Sequence, residues 1–200
     1  MPEPLTDARL AAQAVQGDRQ GFAELVRRHQ GTVYRIVHRI LRDDAEAGDA
    51  AQEAFLKAFR NLASFDSTRP FAPWLYRIAR NQALDMLRRK GASPELLERE
   101  SATEDADDHG AAGAVGRDVA DESIPDALTA LEGDELRLRV AGALGALDAK
   151  YREVIELYHF ENLKYDEIAQ TLGIPIGTVM TRIHRARARL ATSLKSTRAA

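Results

Sequence analysis

Residues 164–185 read KYDEIAQTLGIPIGTVMTRIHR, and this stretch decides the fold of the C-terminal block. Lys164 to Leu172 patterns as a short helix. Gly173-Ile174-Pro175 interrupts it, since proline fixes its own φ and drives the preceding residue out of the helical region. A last helix then runs from about Ile176 to Leu194. Two helices joined by a tight, glycine-containing turn are the signature of a helix-turn-helix. At 3.6 residues per turn, Val179, Ile183, Ala186 and Leu190 fall on one stripe, which packs on the preceding helices. Met180, Thr181, His184 and Arg185 lie on the other side, flanked by Arg182, Arg187 and Arg189.

After Glu167 the chain carries no acidic residue, while Arg182, Arg185, Arg187, Arg189, Lys195 and Arg198 crowd its end. The N-terminal part of such a helix fits the major groove of duplex DNA. Arg185 can donate two hydrogen bonds to a guanine, worth ~1–3 kcal/mol of discrimination. Thr181 offers its hydroxyl to a phosphate or a base edge, and Met180 either packs on a thymine methyl or sits at the groove rim. The other arginines contact phosphates, which adds affinity and salt dependence without sequence choice. A packed helical hairpin with a solvated basic face is the plain alternative. The turn, the opposed apolar stripe and the acid-free face together favour DNA binding.

Two further amphipathic helices precede this pair from about Gly133: Leu136, Val140, Ala143, Leu144 and Leu147 mark one, and Tyr151, Val154, Ile155 and Tyr158 the other. The N-terminal block is helical as well. Phe22, Leu25, Val26, Val33, Ile36, Val37, Ile40 and Leu41 recur mostly at three- and four-residue steps. A second helix spans about Asp44 to Asn61, with Ala51, Phe55, Phe59 and Leu62 as its apolar side and Leu56 adjoining. A third runs from about Phe71 to Lys90 and closes at Gly91, a C-cap signal. Strand signals are nearly absent. The expected fold is all-α, with an N-terminal domain at 1–91, an acidic flexible linker at 92–132 and a C-terminal domain at 133–200.

Charge supports this division. The 200 residues carry a formal net charge of -3, so the whole chain fails the simple basic-protein test for nucleic-acid binding. From Ala92 to Glu135, however, stand fourteen acids and two arginines. Removing these from 31 acids and 28 bases leaves 17 acids and 26 bases in the flanking blocks. The middle, with its scattered glycines, reads as a flexible tether, with room for short helices around Leu96-Leu97 or Leu128–Leu131.

Phe65, Phe71, Trp74 and Tyr76 gather around the break Ser64–Pro70, with Arg69, Arg77, Arg80, Arg88, Arg89 and Lys90 interleaved or close behind. Aromatic faces hold unstacked bases at ~1–3 kcal/mol each, while arginines follow the backbone. A loop beside such a helix can receive a base flipped from the duplex. Phe71 and Ile78 read better as core; Trp74 fits core and base capture equally. Arg80 and Asn81 suit polar contacts with a single strand.

Other classes find little support. The chain has no cysteine, which excludes disulfides, cysteine catalysis and thiolate zinc sites and fits a reducing cytosol. His159-Phe160-Glu161 matches the H-x-E of zinc deaminases, whose chemistry needs paired cysteines. No G-x-x-x-x-G-K phosphate loop occurs, and the five histidines show no metal-ligand spacing, so each reads as a surface or packing residue. No apolar run approaches the ~20 residues of a membrane span, and the N-terminus lacks a secretory pattern. A helix-turn-helix regulator with a ligand-sensing or dimerising N-terminal block is the rival to weigh.

The order of motifs favours another reading. Asp49-Ala50-Ala51-Gln52-Glu53-Ala54-Phe55-Leu56 resembles the D-x-x-Q-E-x-F-x segment of bacterial RNA polymerase sigma factors. Phe71-Ala72-Pro73-Trp74-Leu75-Tyr76-Arg77-Ile78-Ala79-Arg80-Asn81 resembles their promoter-melting helix. Tyr151 through Ala169, then Leu172-Gly173-Ile174-Pro175, Gly177-Thr178-Val179 and Arg182–Arg187, resemble their C-terminal domain. With two domains and no middle one, the chain is similar to the extracytoplasmic-function (ECF) subfamily of the sigma-70 family.

The resemblance implies a non-enzymatic, cytoplasmic transcription initiation factor without cofactor or metal. Its partners would be core RNA polymerase, promoter DNA and an anti-sigma protein that covers the polymerase-binding faces. By it, Asp49, Gln52, Glu53 and Phe55 would dock on the clamp helices of the largest subunit, and the C-terminal domain on the flap. Phe65, Arg69, Trp74, Tyr76, Arg77, Arg80 and Asn81 would melt and hold the minus-ten element. Thr178, Met180, Thr181, Arg182, His184, Arg185 and Arg187 would read the minus-thirty-five element. The linker would run toward the RNA exit channel, its acids mimicking nucleic acid. Asp148-Ala149 stands where the family usually shows proline, and Met180 where a basic residue is common. These departures bear on the usual minus-thirty-five preference, not on docking.

Overall fold

A computed structural model describes residues 5–91 and 134–196. The acidic linker and the short helices expected near Leu96-Leu97 and Leu128–Leu131 lie outside the described residues. The described chain is all-α, with no strand among the described residues. Its helices are α1 (Asp7–Val15), α2 (Arg19–Leu41), α3 (Asp44–Arg60), α4 (Phe71–Arg89), α5 (Asp134–Gly145), α6 (Ala149–His159), α7 (Tyr165–Leu172) and α8 (Ile176–Ser196), with a 3-10 turn at Leu62–Ser64. They form two compact units, whose described parts are 5–91 with 164–175, and 134–163 with 176–196.

Local chemistry sets the helix ends in the first unit. Asp18 caps α2 by accepting from the Gln20 N–H at 2.9 Å, and Asp43 caps α3 by accepting from the Glu46 N–H at 2.9 Å. Arg42 takes a left-handed conformation, φ 56°, to turn the chain sharply between α2 and α3. α4 begins directly after Pro70, whose fixed φ suits a helix entry, and ends at Lys90 with Gly91 at φ 76°. Lys90 also pairs with Glu46 across to α3.

The core of this unit departs from the sequence reading in one instructive respect. α3 buries Ala47, Ala50, Ala54 and Ala58, all fully enclosed, rather than Ala51, Phe55 and Phe59. Phe59 is 49% exposed and Leu56 44%, while Leu62 is buried in the 3-10 turn. α3 touches both α2 and α4, and methyl side chains let three helix axes approach closely where rings would hold them apart. The bulky partners come from the neighbouring helices: Leu25, Val33 and Val37 of α2, and Leu75 of α4, are wholly buried. α1, which the periodicity did not mark, packs through Leu10, Ala11 and Ala14.

In the second unit α8 lies against α5 and α6. Val179, Ile183, Ala186 and Leu190 are buried as the periodicity requires, against a core that includes Tyr151, Val154, Ile155 and Leu157. Arg152 gathers the end of α5: its guanidinium donates to the carbonyls of Leu144 (2.8 Å), Gly145 (2.7 Å) and Leu147 (2.6 Å). The first two are among the orphan acceptors that any helix C-terminus leaves, and the third lies in the turn that follows.

α7 is closed at both ends. The Lys164 N–H donates to Glu167 Oε2 at 2.8 Å, and Gly173 adopts φ 70° while its N–H donates to the Ala169 carbonyl at 2.9 Å. Only glycine takes that left-handed position without strain. Pro175 then precedes α8.

Candidate functional site

Three surfaces collect the residues singled out by sequence. The first is an open groove of about 980 Å³ between α2 and α3. Phe22, Val26, Phe55, Leu56 and Phe59 supply its apolar wall, and Tyr34 and Gln52 its polar edge. The rings of Phe22 and Phe59 meet edge to face, 4.9 Å between centroids. Phe55 is half-buried, Gln52 and Asp49 are exposed, and Glu53 reaches Arg60 at 3.4 Å. The groove therefore joins Gln52 and Phe55 directly, with Asp49 on the same helix one turn earlier. An exposed apolar patch rimmed by polar groups marks an interaction surface. Leu56 and Phe59 thus serve the surface that sequence reading assigned to the core.

The second surface is the loop before α4. Phe65, Phe71 and Trp74 form a closed aromatic triplet with centroid separations of 5.4, 5.6 and 5.2 Å. Phe71 is buried, as the sequence favours; Phe65 and Trp74 are half-buried and keep ring surface exposed. Asp66 shapes the loop: Oδ1 accepts from the Thr68 N–H at 3.0 Å and from its hydroxyl at 2.6 Å. Those two bonds, hydroxyl first, hold the Asp66 carboxyl below its ordinary pKa of 3.8. Arg69, Arg77 and Asn81 are exposed and Arg80 half-buried on the same side of the sequence.

Tyr76 departs from expectation. It is 5% exposed, and its hydroxyl lies 3.0 Å from His29 Nδ1. Two residues beyond Trp74 on a helix, it turns about 200° away from the indole, into the core. His29 itself is buried and bonded on its other nitrogen to Asp7 Oδ2 at 2.6 Å. This bond, seconded by Arg28, keeps the Asp7 carboxyl below 3.8. The line Asp7–His29–Tyr76 was missed from sequence. Its signal was present: His29 stands four residues from both Leu25 and Val33, on the buried stripe of α2.

The third surface is α8. Met180 is 37% exposed, Thr181 and His184 are exposed, and Thr178 and Arg185 are half-buried. Thr181 donates its hydroxyl to the Gly177 carbonyl at 3.0 Å. Arg187 lies over the Tyr158 ring, 5.3 Å to the centroid. Arg182 contradicts the reader assignment, being 5% exposed. It precedes the buried Ile183 and follows the buried Val179 by three residues, so the apolar stripe carries it inward. Arg189, expected on phosphates, stacks on Tyr151 at 4.4 Å and pairs with Asp148. Burial of His159, and next the charge of Arg187, lowers the His159 pKa from 6.5.

Among the described residues no group of histidines and carboxylates is arranged to hold a metal ion, and no helix is long and apolar enough to cross a membrane. Residues 25–93 match the family described as Sigma-70 region 2, and residues 137–190 that described as Sigma-70, region 4. The chain is 39% identical over 186 residues to the ECF RNA polymerase sigma factor SigW of Bacillus subtilis, covering 92% of this chain and 94% of that one. The chain belongs to the ECF sigma-factor family. The ECF sigma-E factor of Escherichia coli K12 is 35% identical over 187 residues, covering 94% of this chain and 93% of that one. Two solved structures are similar. One is CnrH in complex with the cytosolic domain of CnrY, with TM-score 0.63, 30% identity and coverage of 95% and 97% of the two chains. The other is the sigma factor RpoE of Bartonella quintana in complex with the anti-sigma factor NepR, with TM-score 0.58, 25% identity and coverage of 87% and 96%. Within this ECF sigma factor, α2 from residue 25 onward, α3 and α4 fall in the region 2 match, and the chain from residue 137 in α5 to residue 190 in α8 falls in the region 4 match.

Proposed function

We propose that the groove between α2 and α3 is where this ECF sigma factor holds core RNA polymerase, with Asp49, Gln52, Glu53 and Phe55 on the clamp helices of the largest subunit. As an ECF sigma factor the chain is a transcription initiation factor that directs the polymerase to promoters. It performs no covalent chemistry and acts in the cytoplasm. The observation that carries the docking assignment is the exposed apolar wall, Leu56 and Phe59 above all, beside the polar Gln52. Large apolar side chains kept in water on a small domain favour a partner that covers them.

Residues 1–91 then act as the minus-ten domain. Phe65 and Trp74 offer ring faces to unstacked bases, and Arg69, Arg77, Arg80 and Asn81 follow the single strand. Residues 133–200 act as the minus-thirty-five domain, docked on the flap, with Thr178, Met180, Thr181, His184, Arg185 and Arg187 turned to duplex DNA. Residues 92–132 tether the two. An anti-sigma protein holds the factor inactive by covering the same groove, in keeping with the similar sigma factor RpoE of Bartonella quintana, solved in complex with the anti-sigma factor NepR.

The test is reconstitution with core polymerase. Run-off transcription from a promoter is expected only when both are present, and Asp49→Ala should weaken holoenzyme formation while the thermal midpoint stays in place. Tight promoter binding by the isolated chain, without dependence on polymerase, would favour a simple helix-turn-helix regulator instead.

A further inference from the structure

α1 lies outside the region 2 match, yet it is bound into the first unit with care. Leu10 and Ala11 are buried, and α1 touches α2, α4 and the turn at 62–64. Gly21 makes the approach possible: a Cβ there would meet the Leu10 carbonyl oxygen at 2.9 Å. Arg28 adds two tethers, donating to the Leu5 carbonyl at 2.7 Å and to Asp7 Oδ1 at 2.9 Å. From Asp7 a polar line crosses the core. The carboxylate can only accept, so His29 Nε2–H donates to it at 2.6 Å, and Nδ1 faces the Tyr76 hydroxyl at 3.0 Å. The His29 ring also lies 5.8 Å from the Phe71 ring and 5.7 Å from the Tyr76 ring. Phe71 in turn supports both Phe65 and Trp74.

We propose that α1 and the line Asp7–His29–Tyr76 are a brace for promoter melting, with His29 and Tyr76 as positioning residues that hold the Phe65–Phe71–Trp74 cluster in its strand-capturing shape. The inference rests on the minus-ten reading above. The apolar stripe of α4, with Phe71, Leu75, Ala79 and Ala83 buried, sets which face turns inward, and the polar line adds a directional constraint to it. A hydrogen-bonded line has one register, because a slip leaves buried polar atoms unpaired. The line fixes the start of α4, where Phe71 and Trp74 stand, and so sets the angle of the two half-exposed rings. Capturing an unstacked base requires such a prepared platform, since the base arrives at a cost of a few kcal/mol of unstacking.

The experiment compares two templates in the reconstituted holoenzyme: a duplex promoter, and the same promoter held open by mismatches across the minus-ten element. The variants are Tyr76→Phe, Asp7→Ala and Asp7→Asn. Tyr76→Phe keeps the ring and removes only the hydroxyl. Tyr76→Phe and Asp7→Ala should lower run-off on the duplex about tenfold relative to the open template, the scale of one buried polar partner left unmade. Asp7→Asn retains an oxygen that accepts from His29 and should recover most of the loss. Equal falls on both templates, or no fall on either, would overturn the brace. A parent protein silent on both templates would overturn the initiation reading itself.

Discussion

Leu56→Ala separates docking from folding. Full burial of a leucine side chain is worth ~1.5–3 kcal/mol. Leu56 is 44% exposed in the free protein, so about 1 kcal/mol is left for a partner to gain by covering it. Removing the side chain should therefore weaken core polymerase binding about fivefold. The covered part of the residue contributes a similar amount to the fold, so the thermal midpoint should drop by only several degrees. Val15, 51% exposed on α1 and not among the residues that line the groove, gives a matched control. Val15→Ala should leave polymerase affinity unchanged. The assay is a titration of labelled sigma factor with core polymerase, alongside thermal unfolding of each variant. Parental affinity in Leu56→Ala, or an equal loss in Val15→Ala, would refute the groove as the docking surface.

Two further outcomes are expected. Arg185→Ala should weaken holoenzyme binding to the upstream element by ~1–3 kcal/mol, whereas the buried Arg182, changed to Ala, should lower the unfolding midpoint and leave the discrimination of correct from scrambled elements intact. Competition binding with both duplexes, beside a melt of each variant, reads the two effects apart. His159 gives a pH dependence: burial, then Arg187, lowers its pKa below 6.5, so the unfolded chain takes up the proton first. The resulting stability is present above about pH 6.5 and declines as pH falls below it. Denaturant midpoints taken from about pH 7.5 down to about pH 5.5 should fall in the parent, and fall less in His159→Leu.

Where a helix has one buried side, the sequence told the truth about it. The stripe Val179, Ile183, Ala186, Leu190 is buried as its period demands, because α8 rests on the remainder of its unit through one face. α3 defeats the same rule. Its large residues read as core, but a helix touching two neighbours needs its smallest side chains inward, and the alanines at 47, 50, 54 and 58 fill that role. The phenylalanines were thereby released to the groove. α1 escaped notice although Leu10, Ala11 and Ala14 keep the helical spacing, because it has only nine residues and buries a single large side chain.

Burial of polar residues was the harder matter. Tyr76 and Arg182 bear groups that sequence reasoning sends to solvent or DNA, yet each lies inside its unit. Tyr76 does so because His29, distant in sequence, supplies its polar partner. Sequence alone determined the all-α class, the helix starts near Asp44 and Phe71, the break at Gly173 and the order of motifs, since these depend on backbone sterics and on neighbours a few residues away. Only the tertiary structure decided which aromatic and charged side chains reach the surface. That choice is made by residues brought together from remote parts of the chain, and no local period records it.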